Sequence, residues 1–186
     1  MTRSGFVERQ FAFGAGDGMT KVTTRQTAQP TAVGTPEIKT VRAAGQWKGR
    51  YRTDVAVRGF TFVSAEPEKI GGGNEGPTPM EYVAGALNAC LGVVIELVAK
   101  EQGVAIDGIG IESAGLVDQR GLFGTAPVSP HFQSVAVDIT LTTDAAEPRL
   151  AELQRAVLTR CPVYNLIRDS GAAVTVTWKT TTEAAR

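Results

Sequence analysis

Two cysteines, Cys90 and Cys161, are the residues of this 186-residue chain whose types best suit covalent chemistry. Cys90 lies in a long uncharged stretch with a helical pattern, where a free cysteine is most often a small core residue. Cys161 directly precedes Pro162 and is predicted to lie at the beginning of a helix, where unpaired amides and the helix dipole favour a thiolate. A thiolate is also a good leaving group in thiol–disulfide exchange. The residue types therefore indicate thiol chemistry at Cys161, whereas Cys90 is predicted to be a core residue, with thiol chemistry as its alternative.

The helix that contains Cys90 has clear signals at both ends. Thr78 is a suitable N-cap, Pro79 suits the first helical position, and Glu81 completes a Thr-x-x-Glu capping box. Gly103 is a typical helix end. Residues 82–95 include no charged side chain, which predicts a helix that is buried on every side, by a sheet and by another helix or subunit. We expect this helix to be too short for a membrane span.

Strand-like segments lie on both sides of this helix. Residues 39–64 are predicted to form two or three strands, with turn signals at Gly45, Gly49 and Gly59. Alternation over residues 48–56 predicts one basic face, which carries Lys48, Arg50, Arg52 and Asp54. After the helix, two strands are predicted over Gly108–Val117 and 132–143, then a pair of helices and a last strand over 173–178. This order predicts an α+β fold.

Composition excludes several classes of function. Nineteen Lys and Arg residues balance nineteen Asp and Glu residues, so no net charge would hold the protein on a nucleic acid or an anionic membrane. One histidine and two cysteines are a poor set for a zinc site, and we expect neither a metal nor a cofactor. The chain begins without the apolar segment of a secretory signal, which favours a cytoplasmic protein. Residues 1–36 are predicted to form a partly flexible N-terminal arm, and residues 37–186 a single domain.

Three short motifs resemble those of a known family. Residues 76–82 (GPTPMEY), followed by residues 86–90 (ALNAC), resemble the central helix of the OsmC/Ohr family of thiol-dependent hydroperoxide reductases. Residues 161–165 (CPVYN) resemble the second-cysteine motif of that family. The resemblance extends over residues 39–178 and makes residues 37–186 an OsmC-like domain.

The resemblance implies a fold and an assembly. The expected fold has antiparallel sheets packed around a long central helix, in an intertwined homodimer with active sites at the subunit interface. The helix cysteine of the family is the peroxidatic thiolate, which corresponds to Cys90, and the later cysteine resolves it, which corresponds to Cys161.

The family also activates its thiolate with an arginine from an early strand, held by a glutamate near the start of the helix. Arg50 corresponds to this arginine, with Arg52 as the alternative, and Glu81 to the glutamate. In the family the acid directly follows the helix-opening proline, whereas here Met80 intervenes. Glu81 is therefore predicted either to take part in catalysis or to act only as a helix cap.

The resemblance implies a thiol peroxidase that reduces organic hydroperoxides in defence against oxidative stress. Cys90 would form a sulfenic acid, Cys161 would condense with it to a disulfide, and an external dithiol, either a lipoyl-bearing protein or a small thiol, would reduce the disulfide. Tyr82, Leu122 and Phe123 are candidate contacts for an alkyl tail. Two other interpretations stay open: a non-enzymatic dimer that binds an apolar ligand, and a thiol redox sensor.

Overall fold

The computed structural model describes residues 34–182, so residues 1–33 of the predicted arm lie outside the described part of the chain. The chain divides between Val41 and Arg42 into two units. Of the first unit, residues 34–41 are described, and they contain no helix or strand. All the described helices and strands belong to the second unit.

The second unit has the predicted α+β composition, in which strands both precede and follow a long helix. Its elements, in chain order, are β1 (Ala44–Gly49), β2 (Arg52–Val57), β3 (Phe60–Ser64), a short 3-10 turn (Glu68–Ile70), α1 (Pro79–Gln102), β4 (Gly108–Val117), α2 (Gln119–Leu122), β5 (Phe132–Thr142), α3 (Glu147–Arg160), α4 (Pro162–Asp169) and β6 (Ala173–Thr181). The strands and the long helices after residue 76 agree with the sequence pattern within a few residues. The short helix α2 was not predicted.

The strands form two three-stranded sheets, β1-β2-β3 and β4-β5-β6. The first sheet is antiparallel throughout. In the second sheet β4 and β5 are antiparallel, whereas β5 and β6 are parallel. The expectation of purely antiparallel sheets is therefore wrong for this pair. The reason is the connection between the two strands. Helices α3 and α4 return the chain to the end of the sheet at which β5 begins, and β6 therefore runs in the same direction as β5.

A tight hairpin joins β1 to β2 at Arg50 and Tyr51. Both residues have a positive φ, 46° and 59°, the left-handed pair that a two-residue hairpin turn requires. The prediction that alternation over residues 48–56 forms one basic strand face is therefore wrong. Alternating charge is compatible with a strand, but in the structure Lys48 lies on β1, Arg50 at the turn and Arg52 on β2.

The hydrophobic core lies between α1, the β4-β5-β6 sheet and α3. Helix α1 contacts β4, α3 and α4, and its buried side chains include Leu87, Leu91 and Ile95. The opposite side of α1 is apolar and exposed in a single chain, with Val93 63% and Leu97 44% exposed. The chain by itself thus buries one side of α1, and the prediction that the helix is covered on every side is not met within one chain.

Helix α1 has 24 residues and, by length and composition, would also suit a bilayer crossing. The prediction that it is too short for a membrane span is therefore wrong, because the helix continues on both sides of the uncharged stretch. It is the sole helix among residues 34–182 that meets this criterion, and a third of its most apolar window is buried inside the protein. Packing in a globular core explains its apolar composition equally well.

Candidate active site

The two cysteines lie side by side. Cys90 is on α1 and is half-buried, whereas Cys161, at the junction of α3 and α4, is fully buried. Their Sγ atoms are 3.3 Å apart, and the Cys161 thiol donates towards Cys90. Both cysteines are free. Residues 71 positions apart in sequence are thus within reach of one another for a covalent bond.

Burial controls the ionisation of Cys161. Removal from water raises the pKa of the Cys161 thiol to about 11, and the nearby Cys90 sulfur acts in the same direction. The backbone amides of Tyr164 and Val163, in the first turn of α4, oppose this shift. The prediction of a thiolate at this helix terminus is therefore wrong. The amides have the expected effect, but the cost of burying a charge is larger.

The two candidate arginines have different surroundings. Arg50 is exposed at the tip of the hairpin, and its Nη2 donates to the Gly72 carbonyl at 3.2 Å. Arg52 is held by two carboxylates, through Nε to Asp54 at 2.8 Å and through Nη1 to Glu75 at 2.5 Å. These hydrogen bonds raise the pKa of Arg52. The hydrogen bond between Arg52 and Asp54 also lowers the pKa of Asp54.

Within residues 34–182 neither arginine bonds Cys90, whose sulfur accepts a hydrogen bond from the Cys161 thiol. The hairpin that carries Arg50 belongs to the first sheet, and α1 packs mainly on β4, α3 and α4. The structure of one chain thus brings together the two predicted cysteines but not the predicted arginine.

Glu81 forms the predicted capping box. Its Oε2 accepts from the Thr78 amide at 2.7 Å, and its own amide donates to Thr78 Oγ1 at 3.4 Å. In residues 34–182 no arginine pairs with Glu81, and the carboxylates that hold Arg52 are those of Asp54 and Glu75. Sequence reasoning missed Glu75, because it lies in a glycine-rich link and its contact with Arg52 joins segments distant in sequence.

Two open pockets lie along the first sheet. One has a volume of about 530 Å³ and is charged; it is lined by Lys48, Gly49, Arg50, Arg52, Asp54, Gly73 and Glu75. The other is an apolar groove of about 350 Å³, lined by Thr53, Val55, Phe62, Ser64, Pro79 and Tyr82.

Tyr82 joins the beginning of α1 to the first sheet beside the apolar groove. Its hydroxyl donates to the Val63 carbonyl at 2.6 Å, and its ring centroid is 4.7 Å from that of Phe62. Leu122 and Phe123, the other predicted tail contacts, are more than half exposed. In the described residues no group of three or more His, Cys, Asp or Glu side chains is placed to hold a metal ion.

The fold is shared with solved structures. The OsmC-like protein from Mycoplasma pneumoniae is 17% identical, with a TM-score of 0.64 over 76% of this chain and 98% of that chain. An organic hydroperoxide resistance protein from Elizabethkingia anophelis is 18% identical, with a TM-score of 0.61 over 77% and 98%. The organic hydroperoxide resistance protein OhrB of Bacillus subtilis is 22% identical, with a TM-score of 0.51 over 76% and 98%.

These identities show likeness of fold alone, and no curated protein matches the sequence significantly. The sequence itself matches the family model described as "OsmC-like protein" over residues 72–177, which is more than half of the chain. This match contains α1, both cysteines and the second sheet up to most of β6. The chain belongs to the OsmC-like protein family.

Proposed function

We propose that this protein is a cytoplasmic thiol-dependent peroxidase that reduces organic hydroperoxides as part of the response to oxidative stress. The observation that carries the proposal is the pair of free cysteines whose sulfurs are 3.3 Å apart, one residue half-buried and the other fully buried. A structural cysteine pair would gain nothing from this difference in burial, whereas a two-step thiol reaction needs one thiol that meets the substrate and one that is protected from it.

The difference in burial assigns the two roles. Cys90 is half-buried, so its sulfur is the one that a hydroperoxide can approach. The Cys90 thiolate attacks the terminal oxygen of the hydroperoxide, the O–O bond breaks, and the alkoxide leaves and takes up a proton to become an alcohol. Cys90 is thereby oxidised to a sulfenic acid.

Cys161 then resolves this sulfenic acid. Its sulfur attacks the Cys90 sulfur, an S–S bond forms, and the S–OH bond breaks. The departing hydroxide combines with the thiol proton of Cys161, so that the products are a disulfide and water. Because burial raises the pKa of Cys161 to about 11, this residue stays a thiol at neutral pH and brings the proton that the step requires. An external dithiol, supplied by a lipoyl-bearing protein or a small thiol, reduces the disulfide.

A cation is needed to favour the Cys90 thiolate, since an ordinary cysteine thiol, with a pKa of about 8.5, is mostly protonated at neutral pH. We assign this role to Arg50. Arg52 would have to leave both Asp54 and Glu75 to reach a thiolate, whereas Arg50 is exposed and has one side-chain hydrogen bond, to the Gly72 carbonyl. Glu81 acts in this scheme as the helix cap that fixes the beginning of α1.

Arg50 reaches Cys90 in a homodimer. The uncovered side of α1 presents Val93 and Leu97, and the first sheet exposes Trp47 and Phe60. Both surfaces are too apolar to be left in water, and each would be covered if the first sheet of one subunit packed near α1 of the other. This arrangement would place a partner's hairpin, with its arginine, at the half-buried Cys90.

The apolar groove favours an organic hydroperoxide over hydrogen peroxide. Its lining exposes mainly carbon atoms, and its volume of about 350 Å³ would hold an alkyl or aryl group. Tyr82, which lines it, precedes Cys90 by two turns of α1, about 12 Å along the helix axis. Burial of an alkyl tail contributes about 0.8 kcal/mol for each methylene removed from water.

The test is consumption of cumene hydroperoxide by the purified protein with dihydrolipoamide as reductant. We expect sustained turnover, no turnover with Cys90→Ser, and no intramolecular disulfide with Cys161→Ser. A Cys90→Ser protein as active as the unaltered one would reject the proposal. Oxidation to a disulfide without sustained turnover would instead identify a redox sensor, and inert thiols would identify an apolar-ligand-binding protein.

A further inference from the structure

The side chain of Asn165 joins the two helices on either side of Cys161. Its Nδ2 lies 3.0 Å from the Leu158 carbonyl, 3.2 Å from that of Thr159 and 2.8 Å from that of Cys161. The first two carbonyls belong to the last turn of α3, and the third to the residue between the helices. The side-chain amide of Asn165, near the beginning of α4, thus donates to carbonyls at the end of α3.

Among the described residues, the Leu158 and Thr159 carbonyls have no backbone donor at this helix end. The last carbonyls of a helix lack intrahelical partners, and Pro162, which follows Cys161, has no amide hydrogen. Cys161 itself is extended, with φ −74° and ψ 111°, so that helical hydrogen bonding is interrupted at this residue. Asn165 supplies donors at the point where the backbone would otherwise be least constrained.

The backbone of Cys161 is consequently held on both sides. Its amide donates to the Val157 carbonyl at 2.9 Å, and its carbonyl accepts from the Asn165 backbone amide at 3.0 Å as well as from the Asn165 side chain. A residue held in this way has little freedom to change the direction of its Cα–Cβ bond. The position of the Cys161 sulfur therefore depends on the Asn165 amide.

This position matters for the resolving step. The two sulfurs are 3.3 Å apart, within the range of about 3–3.5 Å at which reacting atoms are well placed for attack. An S–S bond is about 2.05 Å long, so closure requires a short approach along a defined line. A misplacement of about 1 Å can cost about 100-fold in rate.

We propose that Asn165 is a positioning residue for Cys161, which holds the buried thiol in line with Cys90 so that the sulfenic acid is resolved before a second peroxide oxidises it. The proposal rests on the proposed function for its peroxide step, but the closure of the disulfide can be tested separately. Asn165 does not touch the reacting atoms, and its effect acts through the backbone of Cys161.

The first experiment measures how the Cys90 sulfenic acid is partitioned. Two variants are compared, Asn165→Ala and Asn165→Asp. The second keeps the shape of the side chain but replaces the donor by an acceptor. Each is treated with increasing concentrations of cumene hydroperoxide, and the amounts of disulfide and sulfinic acid are measured by mass spectrometry. We expect disulfide formation to slow by about 10- to 100-fold and sulfinic acid to accumulate, with the rate of the first oxidation of Cys90 unchanged.

Thr159→Val is the matched control. The Thr159 hydroxyl donates to the Arg155 carbonyl at 2.8 Å. Thr159→Val therefore removes a side-chain hydrogen bond from the same last turn of α3, but it removes no donor to the Cys161 carbonyl. A merely structural role for Asn165 would lower thermal stability alike in both proteins and leave the ratio of disulfide to sulfinic acid unchanged. Equal ratios in Asn165→Asp and Thr159→Val would overturn the proposal.

The second experiment needs no peroxide. The dithiol–disulfide equilibrium of Cys90 and Cys161 is measured in a glutathione redox buffer. Asn165→Asp is expected to lower the equilibrium constant for closure by about tenfold, a shift of about 30 mV in reduction potential, and Thr159→Val is expected to leave it unchanged. If the unaltered protein reduces no hydroperoxide but shows this shift, the proposed function fails and the positioning role stands. If the shift is absent, the positioning role fails irrespective of peroxidase activity.

Discussion

The two sheets of this protein differ in how completely a single chain covers them. Every strand of the β4-β5-β6 sheet contributes to the core beneath α1 and α3, and its side chains Val137, Ile139 and Leu141 are at most 1% exposed. In the β1-β2-β3 sheet Trp47 and Phe60 are 74% and 64% exposed. One sheet therefore has its packing partner within the chain, and the other does not.

The proposed chemistry is divided in the same way. The well-packed part of the chain holds both sulfurs in place, and the poorly covered sheet carries the arginines and lines both open pockets. Precise placement of two reacting sulfurs requires a rigid core. The surface of the first sheet, which the proposed dimer would cover, can instead bring a cation and an apolar groove to the Cys90 of the partner subunit. One chain thus contains both sulfurs of the proposed disulfide but not the complete site of the proposed peroxide reaction.

Truncation of one apolar side chain in each part tests the difference most strongly. Leu91→Ala is expected to lower the free energy of unfolding by about 2–5 kcal/mol, because Leu91 is fully buried and the change leaves a cavity. Trp47→Ala is expected to lower the free energy of unfolding of a single chain, in which the ring is exposed, by less than about 1 kcal/mol. Urea unfolding of both variants measures the two values. A loss below about 1 kcal/mol for Leu91→Ala would contradict the core described here.

A charge on the uncovered side of α1 tests whether a second copy covers it. Val93 is 63% exposed, and Val93→Lys would bury an unpaired charge in the proposed dimer, which is expected to weaken association by about 3 kcal/mol, or about 100-fold in Kd. Sedimentation equilibrium gives the value, with Glu152→Lys on α3 as an exposed control. An unchanged Kd for Val93→Lys would exclude this side of α1 from the dimer.

Arg50 tests the contribution of the first sheet to the reaction. Arg50→Ala is expected to lower kcat/KM for cumene hydroperoxide by about 10- to 100-fold at neutral pH, because a nearby guanidinium favours a thiolate, and the loss is expected to shrink as the pH rises. Arg58→Ala is the matched control, since Arg58 also occupies a hairpin turn with positive φ. Equal rates for the two variants would remove Arg50 from the mechanism, and a larger loss for Arg52→Ala would transfer the role to Arg52.

Alkaline stability tests the burial of Cys161. The pKa of Cys161 is about 11 in the folded protein, against an ordinary value of 9.0, so between these values the folded chain binds more protons than the unfolded chain. The free energy of unfolding is therefore unaffected by this thiol below about pH 9 and falls as the pH rises to about 11, by about 3 kcal/mol. Urea unfolding of the reduced protein should show this loss, and Cys161→Ala should lack it. Parallel pH profiles would contradict the assignment.

Helix α1 shows how much of the fold was predictable. Its first and last residues follow from Thr78, Pro79, Glu81 and Gly103, because caps act over one turn and need no tertiary contact. The reversal between β1 and β2 was predicted only in part. Gly49 is a turn signal, but neither Arg50 nor Tyr51 is typical of a left-handed turn, and only the pairing of β1 with β2 shows that these two residues form it.

The candidate site was predictable in a similarly uneven way. The motifs around Cys90 and Cys161 indicated both residues through their resemblance to a family, and the structure brings them together. The partners of Arg52 and the hydrogen bonds of Asn165 were not predicted, since a glutamate in a glycine-rich link and an asparagine in a helix carry no signal of the groups they contact.

The sequence by itself determined the order of the elements, the ends of α1 and the location of each cysteine relative to a helix, because these depend on periodicity and on contacts within a few residues. Tertiary structure alone decided that β6 runs parallel to β5, that Glu75 rather than Glu81 pairs with an early-strand arginine, Arg52, and that Cys161 remains a thiol. The last result has a direct physical reason. The amides at the start of α4 are local and favour a thiolate, but desolvation is produced by the surrounding core, and at full burial it is the larger effect.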